Sequence, residues 1–238
     1  MKAHRLRRLF SRALTASLLL LAGCQRDSGV KPATPDAGQA VKAPDPDPLA
    51  IDCVKGVPQP GRVTIFPTPD FIEIRSISYP LGGADARLVG NREAAVGQAC
   101  QKATNKDLCL SALDRLAVTR GFNEQCEEDC DAYFLAATRG DTVAAVTTVE
   151  MLGSLLGTID TAQEAALMVF AAGYNPCSRG TQVEPRGAPP VVTARPEGFD
   201  GFEVIGYTGH GSVRHTVRVS TAGEVAVVKR EVDEKGSP

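Results

Sequence analysis

Six cysteines between residues 53 and 177 constrain the folded part of this chain most strongly. An even number of cysteines in an exported chain predicts three disulfides, although sequence alone allows many pairings. We therefore expect a disulfide-reinforced domain. The candidate disulfide cysteines are Cys53, Cys100, Cys109, Cys126, Cys130 and Cys177.

The stretch "CEEDC" leaves two pairings open for Cys126 and Cys130. In a helix their β-carbons would lie about 5–6 Å apart, whereas a disulfide needs about 3.8 Å. They would then pair elsewhere, with Cys100 and Cys109 as candidates. In a loop before a hairpin they could pair with each other, leaving Cys100–Cys109 and Cys53–Cys177. The spacing is not that of a redox motif and no histidine is adjacent, so we predict no metal site here.

The N-terminus predicts export from the cytoplasm. Its first twelve residues carry five basic and no acidic side chains, and the uncharged, mostly apolar stretch 13–23 follows. A basic region followed by a short apolar region is typical of a signal peptide, here residues 1–23. The apolar stretch is shorter than the roughly 20 residues that a membrane-spanning helix needs.

The tetrapeptide Leu21-Ala22-Gly23-Cys24 resembles the lipobox of bacterial lipoproteins. The resemblance covers residues 1–24 only, and we identify no family for the domain behind them. It implies cleavage before Cys24 and acyl chains, such as palmitate, on the sulfur and the new amino group. Several acyl chains anchor a protein stably to a bilayer. Because Gln25, not Asp, follows the cysteine, we expect the outer membrane of the cell envelope and not the inner one.

The pair Arg7-Arg8 followed by Leu-Phe is also compatible with a twin-arginine export signal. That route exports folded proteins, which fits poorly with a domain that forms disulfides after export. We therefore expect the general secretory route.

Residues 24–49 form the expected link between the lipid and the domain. They contain five prolines, many small residues and no aromatic residue. Such a composition buries too little apolar surface to offset ordering entropy, so we predict a disordered, semi-extended tether. Residues 50–238 are predicted to be one globular domain.

Strand and helix patterns are grouped along the domain and do not alternate, which predicts an α+β fold with a largely antiparallel sheet and a central helical segment. The predicted strands are 62–66, 71–79, 133–138, 142–147, 191–195, 202–207, 212–220 and 224–232. The predicted helices start at Asn91, at Lys106 with its end marked by Gly121, and at the capping boxes Thr147/Glu150 and Thr161/Glu164. The alanine-rich stretch 133–147 could also be helical, but two equal runs around "RGD" favour a hairpin.

The charge balance disfavours nucleic acid as a partner. Without the signal the chain has 21 basic and 28 acidic residues, a formal charge of −7. Phosphate backbones are bound mainly through lysine and arginine. The absence of tryptophan also lowers the expectation of a sugar-stacking platform.

We find no sequence pattern with a catalytic mechanism, and we predict no catalytic residues, no metal site and no cofactor. His210 and His215 supply too few ligands for zinc, and His215 is expected to lie partly buried on a strand. Asp45 and Asp47 lack the glycine and closing glutamate of a calcium loop. The acids at 127–131 are interpreted as a solvated face, and "RGD" as a simple turn.

These observations favour a lipid-anchored envelope lipoprotein with a non-enzymatic domain that binds another envelope protein or has a structural role. One alternative is an envelope enzyme or enzyme inhibitor with a site assembled from loops. A second alternative is a small-ligand-binding lipoprotein. A concave pocket with convergent polar groups would favour an enzyme or ligand binder, and an exposed apolar patch would favour a partner-binding module.

Overall fold

The computed structural model describes residues 49–82, 87–177, 191–209 and 212–232, all within one compact unit, Asp45–Pro238. The signal peptide, Cys24, most of the tether, Asp45, Asp47 and His210 lie outside the described residues. Within these ranges, helices are all too short or too polar to cross a membrane. The fold is α+β with antiparallel sheets and three disulfides, as predicted.

Eleven strands and three α-helices form the described domain. The strands are β1 (Cys53–Val54), β2 (Val57–Pro58), β3 (Phe71–Pro80), β4 (Asn91–Gly97), β5 (Phe122–Cys126), β6 (Asp129–Arg139), β7 (Thr142–Val146), β8 (Val192–Ala194), β9 (Gly201–Thr208), β10 (Val213–Ser220) and β11 (Val225–Val232). The helices are α1 (Lys106–Asp114), α2 (Val149–Leu156) and α3 (Ala162–Ala171).

The first sheet is built around the long strands β3 and β6, which pair antiparallel along their length. Strand β4 lies on the other side of β3. Strands β5 and β7 share the remaining edge of β6: β5 pairs with its first half and β7 with its second half. The predicted hairpin over 133–147 is thereby confirmed as β6–β7.

The second sheet is an antiparallel meander in the order β11-β10-β9-β8. Its inward side chains are Phe202, His215 and several valines. On β10 the buried residues His215, Val217 and Val219 alternate with less buried polar or charged ones. The period-two pattern of the C-terminal sequence predicted these strands correctly.

Helix α3 lies between the two sheets. Every one of its ten residues is buried, and one apolar cluster joins it to Ile72 and Leu135 of the first sheet and to Val204 and Val217 of the second. A helix that is apolar all round is expected in such a position. The predicted burial of this helix is confirmed, and Gly173, at φ +94°, ends it as predicted.

The N-terminus of α3 also holds the N-terminal segment of the domain. The capping box between Thr161 and Glu164 is present as predicted. Glu164 Oε2 accepts from the Asp160 and Thr161 amides, and Oε1 accepts from the Thr64 amide at 2.6 Å. The strand predicted at 62–66 is therefore wrong. Within this segment the Thr64 amide donates to the Glu164 carboxylate, and Arg62 has a left-handed backbone conformation with φ +56°.

The capping box predicted at Thr147 is also wrong by one residue. Thr148 is the N-cap of α2, and its hydroxyl accepts from the Met151 amide. Both threonines are suitable caps. The hairpin before the helix decides between them, because Val146 still pairs in β7.

A second, smaller core covers the opposite face of the first sheet and contains a buried ion pair. Arg75 and Glu73 are almost fully buried on β3, and Arg75 Nε donates to Glu73 Oε1 at 2.6 Å. Arg75 also donates to the carbonyls of Leu113 and Leu116, at the end of α1. An arginine that donates hydrogen bonds to the last carbonyls of a helix caps its C-terminus. This contact explains why α1 ends at Asp114 and not near Gly121 as predicted.

Gly121 has a different role from the predicted helix end. It leads into β5, and a β-carbon there would lie 2.1 Å from the carbonyl oxygen of Tyr133. The glycine is thus required by the close approach of two backbones.

The predicted helix at Asn91 is wrong, because residues 91–97 form the edge strand β4. Alanines favour a helix locally, but here Ala94 packs in the core opposite Ile74 of β3. Pairing with a long strand overrides the weak helix propensity of this segment.

Two aspartates fix the loops around Cys100 and the "RGD" turn. Asp70 Oδ2 accepts from the amides of Gly140 and Lys102. Burial acts to raise the pKa of Asp70, but these hydrogen bonds and the Lys102 charge outweigh it and hold the pKa below its usual value. The Thr104 hydroxyl and the Asn105 and Thr104 amides lower the pKa of Asp141. The Asp141 carboxylate accepts hydrogen bonds from Thr104 and Asn105 and thereby stabilises the turn, in agreement with the interpretation of "RGD" as structural.

We predict that these two carboxylates make the fold acid-sensitive. A carboxyl group whose pKa is lower in the folded than in the unfolded state stabilises the fold at pH values above its unfolded-state pKa of about 3.9. This stabilisation is lost as the pH falls through the folded-state pKa. Asp70→Asn and Asp141→Asn should each lower the melting temperature at pH 6, and the difference from wild type should shrink between about pH 5 and pH 2. Thermal unfolding followed by circular dichroism measures this. A difference that is the same at every pH would contradict the assignment.

Candidate functional site

The "CEEDC" stretch forms the tip of the β5–β6 hairpin. Cys126 and Cys130 face each other in the strand register and form a disulfide, with Cα atoms 4.0 Å apart. The bend at Glu127 and Glu128 joins the two strands. Of the two pairings left open by the sequence, the structure has the one in which these cysteines pair with each other.

The other four cysteines pair as that alternative requires. Cys53–Cys177 spans 124 residues of sequence, and Cys100–Cys109 joins α1 to the loop before it. All six cysteines that follow Cys24 are therefore paired. The hairpin disulfide holds one wall of the cavity described below, and Cys53–Cys177 fixes the segment that forms the other wall.

This cavity, which we call the acidic groove, has a volume of about 730 Å³. One wall is the β5–β6 hairpin, and the other is formed by the turn after α3 and the end of β9. Its described lining residues are Asn123, Glu124, Gln125, Cys126, Glu127, Glu128, Asp129, Asp131, Tyr133, Gly173, Asn175, Thr208 and Gly209.

Five of these lining residues are acidic, and none of the described ones is basic. Two tyrosines, one in the groove and one beside it, lie near carboxylates. Burial raises the pKa of the Tyr133 phenol, and the carboxylates of Glu93 and Asp131 act in the same direction. Burial likewise raises the pKa of Tyr79, with Glu124 adding to the effect. Because all the charged residues that line the groove in the described part of the chain are acidic, the groove is a region of negative potential that attracts cations.

The floor of the groove rests on α3. The Tyr133 ring meets the Phe170 ring edge-on, with centroids 4.9 Å apart. Such contacts fix the orientation of both rings. Beside Tyr133, the side chain of Asn123 is buried and accepts from Gln125 Nε2 at 3.1 Å. The register shift between Phe122 and Gln125 places Asn123, at φ +51°, in this position.

The opposite wall is a backbone extension of the second sheet. Asn175 exchanges two backbone hydrogen bonds with Tyr207 of β9, and its side chain donates to the Gly56 carbonyl. Gly173, Thr208 and Gly209 complete the wall. The groove therefore runs between the edges of the two sheets.

The one candidate metal cluster among the described residues consists of Glu124, Cys126 and Cys130, whose ligand atoms lie within 4.8 Å of one another. Metal binding by cysteine requires the thiolate. Because both sulfurs are joined in the disulfide, the cluster offers a single carboxylate, which does not make a zinc site.

His215 lies in the core of the second sheet, as predicted. Its Nε2 atom is 3.0 Å from the Thr208 hydroxyl, and its ring packs on Tyr174 with centroids 4.8 Å apart. Burial lowers the pKa of this histidine, and Arg230 adds to the effect. The residue is therefore neutral near pH 7 and helps to position Thr208 at the groove wall.

Four of the five acids of the groove were recognisable in the sequence, where they were interpreted as a solvated face, but the groove itself was not. These four are Glu127, Glu128, Asp129 and Asp131. Tyr133, Asn123, Asn175 and Thr208 carry no motif. The one usable signal was the density of acids beside two cysteines. The residues of the second wall lie 40 to 86 positions after those of the first wall in the sequence, so no local pattern could reveal the groove.

We predict that the hairpin disulfide contributes less to stability than the long-range one. In the chain-entropy account, closing a five-residue loop is worth about 2 kcal/mol and closing a loop of about 125 residues roughly 5 kcal/mol. The free energies of unfolding of the double variants Cys126→Ser/Cys130→Ser and Cys53→Ser/Cys177→Ser, measured in urea, should be lower than that of the wild type by these amounts. Peptide mapping without reduction should recover the three pairs. A bridge from Cys126 to Cys100 or Cys109 would show that the hairpin is wrongly described.

Comparison of the chain with known protein families, with curated proteins and with solved structures found no match. The function is therefore inferred from the residues of the N-terminus and of the acidic groove.

Proposed function

We propose that this protein is a lipid-anchored lipoprotein of the cell envelope, whose α+β domain is a non-enzymatic module that binds a partner through the acidic groove. Anchoring is through Cys24, and the expected location is the outer membrane. The segment 25–49 serves as the spacer between lipid and domain.

The pairing of cysteines is the observation that carries the proposal. Three disulfides use all six cysteines of the domain and do not include Cys24, the remaining cysteine of the sequence. Three disulfides in one domain are typical of an oxidising compartment outside the cytoplasm. A single unpaired cysteine at the end of a signal peptide is what lipid attachment requires.

The groove supports binding as the activity of the domain. Its volume lies in the range of ligand sites, about 300–1,000 Å³, and the described acids around it share one charge sign. A concave polar cavity favours a ligand binder by the criterion given above, so the groove supports a second candidate function, the binding of a small cationic ligand. That candidate is the small-ligand-binding lipoprotein considered from the sequence. Partner binding is proposed first because, among the described residues, β5 is an open sheet edge beside the groove.

We predict that Cys24→Ala abolishes lipid attachment and releases the protein from the membrane fraction. The reason is that the acyl chains have no other attachment site in the proposed scheme. Mass spectrometry of the mature N-terminus and fractionation of cells expressing the full chain measure both effects. As a matched control, Gln25→Asp should keep the lipid but move the protein to the inner membrane. An unmodified Cys24 in the mature wild-type protein would overturn the anchoring.

A further inference from the structure

Strand β5 is an open edge beside the acidic groove. It pairs with β6 on one side, and among the described residues no strand pairs with its other side. The backbone groups of residues 123–125 make no further backbone hydrogen bond in the described part of the chain. An open strand edge is a template for an added strand.

The groove lies over the α3-facing side of the β5–β6 hairpin and extends to this edge. Asp129, Asp131 and Tyr133, which are alternate residues on one face of β6, line it. Three successive residues of β5, Asn123, Glu124 and Gln125, also line it, because the register shift between Phe122 and Gln125 interrupts the alternation of side chains along this strand. The wall formed by Asn175 and Thr208 bounds the space on the far side. The groove thus has the form of a slot beside β5.

Charge selects the occupant of the slot. Glu124, Glu128 and Asp131 are exposed side chains on or next to β5. Tyr133 presents a half-buried ring on the floor between the walls. Carboxylates and an aromatic ring both favour lysine and arginine, through ion pairs and cation–π contacts. An acidic or phosphorylated segment would be repelled.

We propose that the acidic groove binds an extended, lysine- or arginine-rich segment of another envelope protein, which adds as a strand to the open edge of β5. This inference rests on the proposed partner-binding function and specifies its partner. Main-chain hydrogen bonds to β5 supply affinity, and basic side chains at alternate positions supply specificity. The hairpin disulfide Cys126–Cys130 holds β5 and β6 together at the outer end of the edge. In this account the "CEEDC" stretch is a structural part of the binding site.

The binding test uses the mature lipidated protein in detergent micelles. The probe is a fluorescent peptide of about ten residues that alternates lysine with threonine. Fluorescence anisotropy should show saturable binding that weakens as salt is raised, because exposed charges are screened over about 10 Å at 0.1 M. The same peptide with glutamate in place of lysine should not bind.

The variants separate groove binding from general attraction to an acidic protein. Glu128→Lys/Asp131→Lys should weaken binding by about tenfold, because two attractive contacts become repulsive. Glu150→Lys/Glu224→Lys is the matched control with the same change of net charge: both residues are exposed and lie outside the groove, and their reversal should leave binding unchanged. Melting temperatures of all variants show whether a loss of binding reflects unfolding. Equal binding to the groove variant and to wild type would overturn the proposal.

A backbone-modified peptide tests strand addition independently of the variants. N-methyl groups at alternate residues remove the amide donors that an added strand needs, and they leave the charges in place. This peptide should bind much more weakly than the unmodified one. Equal binding of the two, or complete displacement of the peptide by spermine at similar concentration, would show a site for small cations and overturn strand addition.

Failure of this inference is distinguishable from failure of the proposed function. Lipid on Cys24 is measured by mass spectrometry and does not depend on the groove. A lipidated protein that binds none of the probe peptides would overturn the basic-segment inference and leave the anchoring intact.

Discussion

The buried carboxylate of Glu164 connects two parts of the fold at one point. It accepts backbone hydrogen bonds from Asp160 and Thr161 at the start of α3 and from Thr64 in the N-terminal segment. Negative charge at a helix N-terminus is stabilised by the unpaired amides and the helix dipole. The neighbouring Gln163 extends the arrangement, since its side chain exchanges hydrogen bonds with the Asp52 backbone and donates to the Gln59 carbonyl. These two side chains hold residues 52–64 against α3.

The groove depends on the same helix at its other end. Phe170, one residue before the end of α3, supports the ring of Tyr133 on the groove floor. Gly173 then turns the chain into the wall that contains Asn175. Asn175 in turn donates to Gly56, and Cys177 is bonded to Cys53. The N-terminal segment is therefore tied to both ends of α3, and a shift of the helix would change the width of the groove.

The sequence predicted the elements whose local signal agrees with their tertiary surroundings. Alternation predicted β3, β10 and β11, equal runs around Gly140 predicted the β6–β7 hairpin, and the Thr161/Glu164 box predicted the start of α3. It failed where a distant residue decides the conformation. The strand expected at 62–66 is bound by Glu164, the helix expected at Asn91 pairs with β3, and the end of α1 is set by Arg75. None of these partners is visible in a local window.

The same reason limited what the sequence revealed about the site. The acids of the β5–β6 hairpin were recognisable, and so was the pairing of Cys126 with Cys130 as one alternative. The cavity was not, because its second wall comes from segments near residues 174 and 208. The acidic residues of the sequence indicated the wall formed by the β5–β6 hairpin. The groove itself exists only because both sheets pack on α3, which brings the second wall opposite the hairpin.

The most direct test of this account is the free energy of unfolding of Glu164→Gln, measured in urea. Glutamine keeps the size of the side chain but turns an NH₂ group toward amides that need an acceptor. The account predicts a loss of about 2–4 kcal/mol, as for other buried polar groups left with an unsatisfied partner. Glu150→Gln, in the exposed first turn of α2, is the matched control and should change stability far less. A loss for Glu164→Gln no larger than that of the control would contradict the central role of this carboxylate.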